Sequence, residues 1–394
     1  MNDFEFESPT HFAFGRGAER RTGALVRAFG GTKALLHFGG GSVKANGAYD
    51  RVVASLEEAG VGFVPLGGVR PNPREALVRE GIDLVRREKI DFILAVGGGS
   101  VIDSSKAIAF GALYDGDFAD YTFGKDCKRP PIVTSALPVG AVLTIAAAGS
   151  EGSCNCVISL GPKNLKRTIT GDRLRPRFAV MNPEFTMSLP PYQTACGLTD
   201  IFAHVVERYF TQTEGVLVTD ELCEAVMRTV VAEGRAVMAD PSDYTARANV
   251  MWAGTVAHNN ICGVGRAQDW SSHGIEHELS ALYDCAHGAG LAVVMPAWME
   301  YVMPAGVERF ARFAARVWEV PAGDPADMAR EGIARYRAWL GSIGMPTTFA
   351  ELGARAEDIP RLAANLGLRD GQTLGSFRPL TTADVEAILR LAAT

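Results

Sequence analysis

Asp200 and His204 stand four residues apart in the run Leu198–Glu207, whose apolar spacing predicts a helix. At that spacing the two side chains project from one helix face, one turn apart. A carboxylate and an imidazole so placed can grip one divalent ion. His273 and His287 can supply the remaining ligands from a second segment, leaving a coordination position open for an oxygen substrate. The chain has only seven histidines, so three of them in such an arrangement stand out. A metal with an open position is a Lewis acid, which points to an enzyme. Taken alone, the pair also fits an ordinary intrahelical hydrogen bond. His277 follows His273 by four, so spacing by itself allows a second metal pair there.

Upstream, Ile90–Val96 is a short apolar run with strand-forming residues, and it ends in Gly97, Gly98, Gly99 and Ser100. Helical spacing resumes from Val101 to Ala109. A strand, a glycine turn and a helix N-terminus make an anion site, because a phosphate can approach the backbone and its free N–H groups. A second turn, Gly39, Gly40, Gly41 and Ser42, follows the predicted strand Lys33–Phe38. In NAD-binding folds an acid near this strand end accepts bonds from the ribose hydroxyls. Here the acid is missing, while Ser42 and Lys44 are available to a 2′-phosphate. NADP(H) is therefore expected over NAD(H). The Gly97 turn is neither a Gly-x-Gly-x-x-Gly fingerprint nor a P-loop, and a tight turn without a ligand is its plainer alternative; for the Gly39 turn the alternative is a lysine that is merely solvated.

These residues need a scaffold that presents them. Strands are predicted at Lys33–Phe38, Val61–Pro65 and Ile90–Val96, with helices at Ala48–Ala59, Arg74–Glu88 and from near Ser100. The alternation argues for a parallel sheet covered by helices on both faces, with ligands beyond the carboxyl ends of its strands. A polar loop is expected over Tyr114–Pro131, and further strands at Ile132–Leu137, Cys154–Leu160, Thr168–Thr170 and Phe178–Met181. After Pro190 the pattern turns helical: Tyr192–Thr211, Val216–Ala239, Tyr244–Cys262, Ser272–Leu282, Gly288–Val302 and Ala326–Ile343. The expected fold is an α/β N-terminal domain with a parallel Rossmann-like sheet, residues 1–185, followed by an all-α C-terminal domain, residues 186–394.

Length and composition agree with two domains: 394 residues, 47% apolar, net charge −6. No run of like charge suggests nucleic acid or an anionic membrane, and no stretch is apolar enough to span one. The acidic start Met1–Glu7 lacks the form of a signal peptide. The seven cysteines are scattered (Cys127, Cys154, Cys156, Cys196, Cys223, Cys262, Cys285), with Cys154 and Cys156 expected as small core residues on one side of a strand. A reducing cytoplasm is the simplest setting.

The ordered motifs Gly97–Asp103, Gly149–Glu151, Pro183–Leu189, Gly197–His204 and His287–Pro296 together resemble the iron-containing (group III) alcohol dehydrogenase family, along nearly the whole chain. The segment Phe38–Gly47 is similar to the NADPH-dependent butanol dehydrogenase and broad aldehyde reductase branch. The resemblance implies a dehydroquinate synthase-like fold and one divalent ion, Fe2+ or Zn2+, on Asp200, His204, His273 and His287. It implies cofactor contacts from Asp103, from the Leu143–Glu151 loop through Thr144 and Ser150, and from Lys166; a solvated strand lysine is the alternative for Lys166. Where the family has threonine before Gly149, this chain has Ala148, which removes a hydroxyl. The resemblance places His277 near cofactor and substrate, in a proton relay, and a satisfied structural histidine is the equal alternative. A homodimer or larger homo-oligomer is implied as well.

The expected activity is hydride transfer between nicotinamide C4 and a small primary alcohol or aldehyde. Ile201, Phe202 and Ala203, with Trp252 and Trp270, suggest an apolar substrate site, although core packing is the commoner fate of such tryptophans. The rivals are a glycerol dehydrogenase or dehydroquinate synthase-like lyase of the same superfamily, and a non-catalytic binding or assembly protein.

Overall fold

The computed structural model describes residues 1–122, 131–161, 165–369 and 371–394, so Cys127 and the 123–130 part of the expected Tyr114–Pro131 loop lie outside the described residues. The chain forms two units. One comprises Glu7–Leu189 with Pro241–Thr255, the other Met1–Phe6, Pro190–Asp240 and Val256–Thr394.

The first unit is built on a sheet whose central strands bury both faces. Its strands are β1 (His11–Phe14), β2 (Lys33–Phe38), β3 (Gly62–Leu66), β4 (Phe92–Gly97), β5 (Val139–Leu143) and β8 (Phe178–Met181). They lie in the order β1-β8-β5-β4-β2-β3, and every pairing is parallel. Parallel neighbours need crossovers, which the helices α1 (Thr22–Ala28), α2 (Ala48–Glu58), α3 (Glu75–Glu88) and α4 (Gly99–Gly111) help supply. Alternate strand residues feed opposite cores. Leu36, Leu94 and Val142 pack with Val26, Val52 and Leu56, whereas Leu35, Ile93 and Val139 pack with Val78, Ile82 and Ile108. That is why these strands read as continuous apolar runs.

The strand order reverses between β2 and β4, so their carboxyl ends form a switch point where ligands of such sheets bind. Phe38 pairs with Val96, and Gly97 with Leu143. The turns Gly39–Ser42 and Gly97–Ser100 and the loop that starts at Thr144 therefore leave three adjacent strands at one edge.

A separate antiparallel hairpin joins β6 (Asn155–Leu160) and β7 (Leu165–Thr170). The expected strand Ile132–Leu137 is not one. Its Val133 N–H donates to the Thr170 carbonyl and its Leu137 N–H to Ala109, while Pro131 and Pro138 at its ends have no N–H to give. The strand begins after Pro138, as β5, and β1 had no alternation long enough to read. Cys156 is buried on β6, but Cys154 precedes the strand and is only half-buried.

The division at 185/186 also differs from the units found. Trp252 packs edge-on against Phe12 and Phe14, at 5.5 and 6.3 Å, and the Thr255 hydroxyl donates to buried Glu151 at 2.5 Å, which ties Pro241–Thr255 to the α/β unit. Conversely the N–H of Asn2 bonds the Gly265 carbonyl in the helical unit. Trp252 is 44% exposed and rests on those two phenylalanines.

The helical unit contains α5 (Pro191–Tyr209), α6 (Leu217–Ala239), α8 (Ser271–Tyr283), α9 (His287–Val302), α10 (Val307–Trp318), α11 (Pro325–Ser342), α12 (Ile359–Asn365) and α13 (Thr382–Ala392), with α7 (Tyr244–His258) divided between the two units. Helix α9 is apolar on all sides and buried along most of its length, packing on α5, α8, α11 and α13. Its glycines permit this. A Cβ on Gly288 would lie 2.1 Å from the Cys196 carbonyl oxygen of α5. Phe202 of α5 points into the core, stacked on Tyr336 at 4.8 Å and tilted against Trp339 at 5.3 Å. Ile201 and Ala203 are fully buried too, so these three residues do not describe a substrate site. Among the described residues no helix is long and apolar enough to cross a membrane.

Candidate metal centre and cofactor turns

Helix α5 carries Asp200 and His204 on one face, α8 carries His273, and His287 opens α9 directly after the turn that Asp284 starts in left-handed conformation. All four side chains converge. Asp200 Oδ1 lies 3.0 Å from His204 Nδ1, 3.7 Å from His287 Nε2 and 4.0 Å from His273 Nε2. Donor atoms of Asp200, His204 and His273 all fall within 4.8 Å of one another. Donors about 2.1 Å from one tetrahedral ion stand roughly 3.4 Å apart, a spacing near the 3.7 and 4.0 Å from Asp200 Oδ1 to the Nε2 atoms of His287 and His273.

The state of each of these four side chains follows from what surrounds it. His204 Nδ1–H donates to the Asp200 carbonyl oxygen at 2.8 Å, which leaves its Nε2 as a lone pair. His287 Nδ1 donates to Glu276 Oε2. His273 Nδ1 lies 3.2 Å from Glu207 Oε1, and its backbone N–H donates to that same oxygen at 3.0 Å. Burial, reinforced by the neighbouring imidazoles, drives the His273 pKa well below the ordinary value, so the ring is neutral and able to donate electron density. Burial would raise Asp200, but His204 and His287 outweigh it and its carboxyl stays below the usual range. Glu207 goes the other way, pushed up by burial and by Asp269. Asp200 Oδ1 and His273 Nε2 are buried without a hydrogen-bond partner. Each such atom costs about 1–3 kcal/mol, a cost a cation at their common focus removes.

Around this set sit residues that the sequence did not reveal. The His258 ring lies 4.1 Å from that of His204, and its Nδ1 accepts from Arg208 Nη2 at 3.1 Å. Arg208 in turn lies over Trp270 at 4.6 Å, and Trp270 packs 5.2 Å from His273. Of the two tryptophans considered, Trp270 is thus the one beside the histidines. Glu207 was findable, since 200, 204 and 207 share a helix face; His258 carried no signal. His277 is partly exposed, with its ring 5.7 Å from His287. His37 is a core histidine held by the Leu66 carbonyl and the Ser104 hydroxyl, its pKa lowered to about 4 by burial.

In the α/β unit the glycines of the Gly97–Ser100 turn are required by contact. A Cβ on Gly98 would meet Ile145 at 2.2 Å and one on Gly97 would meet Val101 at 2.5 Å, while Gly99 faces Ala148 at 3.3 Å. The backbone of Gly98–Ser100 opens α4 with no side-chain cap. Thr144 N–H bonds the Gly97 carbonyl at 3.1 Å, joining the two loops. Gly40 and Gly41 border open space, and Lys44 sits 5.4 and 5.1 Å from the Phe38 and Tyr49 rings. Asp103 and Ser150 are engaged with each other: the Ser150 hydroxyl donates to Asp103 Oδ1 at 2.5 Å, and Val157 N–H donates to Oδ2 at 2.9 Å. Lys166 is buried on β7, and its charge acts on Asp103.

The residue behind these contacts is Lys106, fully buried on α4. Its ammonium donates to the carbonyls of Ser150, Ser153 and Asn155 at 2.7, 3.0 and 2.8 Å and approaches both serine hydroxyls at 2.9 and 3.2 Å. Burial pulls its pKa down and Asp103 opposes that pull.

With the geometry in place, two family profiles account for almost all of the sequence. "Iron-containing alcohol dehydrogenase" matches residues 9–183, and "Fe-containing alcohol dehydrogenase family, C-terminal" matches residues 194–393. The chain belongs to the iron-containing alcohol dehydrogenase family. Within that family it is 40% identical to NADH-dependent butanol dehydrogenase A of Clostridium acetobutylicum, over 99% of both chains. It is 35% identical to the NADPH-dependent aldehyde reductase YqhD of Escherichia coli, over 97% of both. The crystal structure of NADH-dependent butanol dehydrogenase A from Thermotoga maritima superposes with a TM-score of 0.95 at 38% identity, covering 100% of this chain and 99% of that one. An iron-containing alcohol dehydrogenase implies a nicotinamide cofactor and a divalent metal, and relatives of both cofactor preferences stand close to this chain.

Replacing Lys106 by Met keeps the bulk and removes every donor. Three carbonyls and Asp103 then lose their buried partner, so stability should fall by about 3 kcal/mol or more. Thermal unfolding of Lys106→Met against the parent checks this; an unchanged melting temperature would refute the role given to the ammonium.

Proposed function

We propose that the protein is a metal-dependent alcohol dehydrogenase that works mainly as a reductase of small aldehydes with NADP(H), holding one Fe2+ or Zn2+ on Asp200, His204, His273 and His287. The observation that carries this reading is the convergence of Asp200 Oδ1 with three imidazoles, two of those donors buried with no partner of their own. A mixed carboxylate and imidazole set suits either metal. The ion and a reduced nicotinamide, when bound, supply Lewis-acid polarisation of a carbonyl and a hydride.

The chain's own residues do the remaining work. The Asp200 carbonyl fixes the His204 tautomer, burial keeps His273 neutral, and Trp270 closes one side of the ligand set against water. Reduction also consumes a proton, and we assign its delivery to the imidazole of His277, one turn beyond His273 and partly open to solvent. For the cofactor, the backbone of Gly97–Ser100 at the start of α4 suits a phosphate, with Thr144 beside it. The NADP(H) preference rests on the turn after β2. No acid stands there, Gly40 and Gly41 leave space, and Ser42 and Lys44 offer a hydroxyl and a cation.

Three measurements test this. His204→Ala should lose bound metal and turnover together; wild-type metal content in that variant would remove His204 from the ligand set. Gly39→Asp introduces a carboxylate where a Cβ meets only ordinary contacts, 3.4 Å from the Val69 carbonyl and 3.9 Å from Val101. It should lower the NADPH to NADH efficiency ratio about tenfold, roughly 1.4 kcal/mol, and an unchanged ratio would show that this turn does not set the preference. The similarity to butanol dehydrogenases supports a site that rewards added methylenes by about 0.8 kcal/mol each, so kcat/KM should rise about fourfold per carbon from acetaldehyde to butanal. A preference for polyols or phosphosugars would favour the glycerol dehydrogenase or lyase reading instead.

A further inference from the structure

Behind the ligands lies a buried acid that belongs to none of the expected roles. Glu276 is fully buried on α8, and both of its carboxylate oxygens accept: Oε2 from His287 Nδ1, Oε1 from the Ser280 hydroxyl. Acceptance at both oxygens is the behaviour of an ionised carboxylate. The opposing helix is shaped around it. A Cβ on Gly290 would stand 2.7 Å from Glu276 Oε1 and 2.8 Å from its Cγ, so any side chain at 290 would push the carboxylate off His287. Donor atoms of Glu276, His277 and His287 also fall within 4.8 Å of one another. With Oε2 on the His287 Nδ1 proton and Oε1 on Ser280, this trio is a hydrogen-bonded one and not a second cation site.

We propose that Glu276 is a positioning residue for the metal centre. It holds the proton of His287 on Nδ1, turns Nε2 toward Asp200 as a lone pair, and makes that nitrogen a stronger donor by placing a negative charge behind the ring. His287 needs this more than the other two histidines. Its side chain is 25% exposed, against 6% for His204 and 9% for His273, so the surrounding packing constrains it least. The inference rests on the ligand set proposed above.

The test is Zn2+ affinity, read by competition with a chromophoric chelator, on the full-length wild type and on Glu276→Gln, Glu276→Ala and His204→Ala. The melting temperature of each metal-free protein is measured alongside. Glu276→Gln keeps the shape and removes the charge, and it should weaken Zn2+ binding about 10- to 100-fold while the metal-free melting temperature stays close to that of the wild type. Glu276→Ala should bind more weakly still; if it does not fold, the Gln variant decides. Wild-type Zn2+ affinity in Glu276→Gln would overturn the proposal, as would a lowered melting temperature with affinity unchanged, which would assign Glu276 to packing alone. A wild type that binds no Zn2+, or a His204→Ala variant that binds it normally, would instead overturn the ligand set itself.

Discussion

A buried carboxylate ringed by imidazoles is unstable as a neutral core and stable as a cage for positive charge. Asp200 shows this in the direction of its titration. Burial by itself would keep the acid protonated, yet the imidazoles of His204 and His287 reverse the sign. Much of the helical unit is arranged to keep that contradiction in place. Helix α5 presents Asp200 and His204, α8 His273 and α9 His287, and α9 reaches α5 only because residue 288 has no side chain. The core then closes over the far face of α5, where Phe202 stacks on Tyr336.

The α/β unit solves a different problem, the approach of an anion to backbone. Three loops leave adjacent strands at the point where strand order reverses, and glycines at 97 and 98 let those loops pack against Val101 and Ile145. Lys106 then ties the turn Ser150–Asn155 to α4 from below. The motif Gly97–Asp103 therefore has two parts. Its glycines serve the open edge, and its aspartate, bonded to Ser150 and to the backbone of Val157, serves the interior.

The grouping of these four side chains was legible because chemistry and helical period coincide: Asp200 and His204 are one turn apart, and imidazole is a scarce side chain here. The same period sets Phe202, two positions from Asp200, on the opposite face, and there core packing displaced the substrate role expected of Ile201, Phe202 and Ala203. Parallel strands announced themselves by apolar runs, but a run bounded by prolines at 131 and 138 misplaced one of them. Glu276 and His258 stayed hidden because their roles depend on how helices meet, which single-helix spacing does not encode. Lys106 was hidden for another reason. A lysine in an apolar helix reads as a surface residue until its five oxygen neighbours are seen.

Neither unit is a continuous stretch of chain, and this bears on the order in which the protein can be finished during synthesis. Residues through Leu189 contain all six strands of the parallel sheet, so the sheet can assemble while the rest is still being made. Glu151 and the Phe12–Phe14 edge must nevertheless wait for Thr255 and Trp252, which emerge only after α5 and α6. Met1–Phe6 wait too, because they pack on a unit made last. A ribosome paused between the two stretches would expose a buried acid and an aromatic edge without their partners, which gives a chaperone a defined interval and a defined surface to attend to.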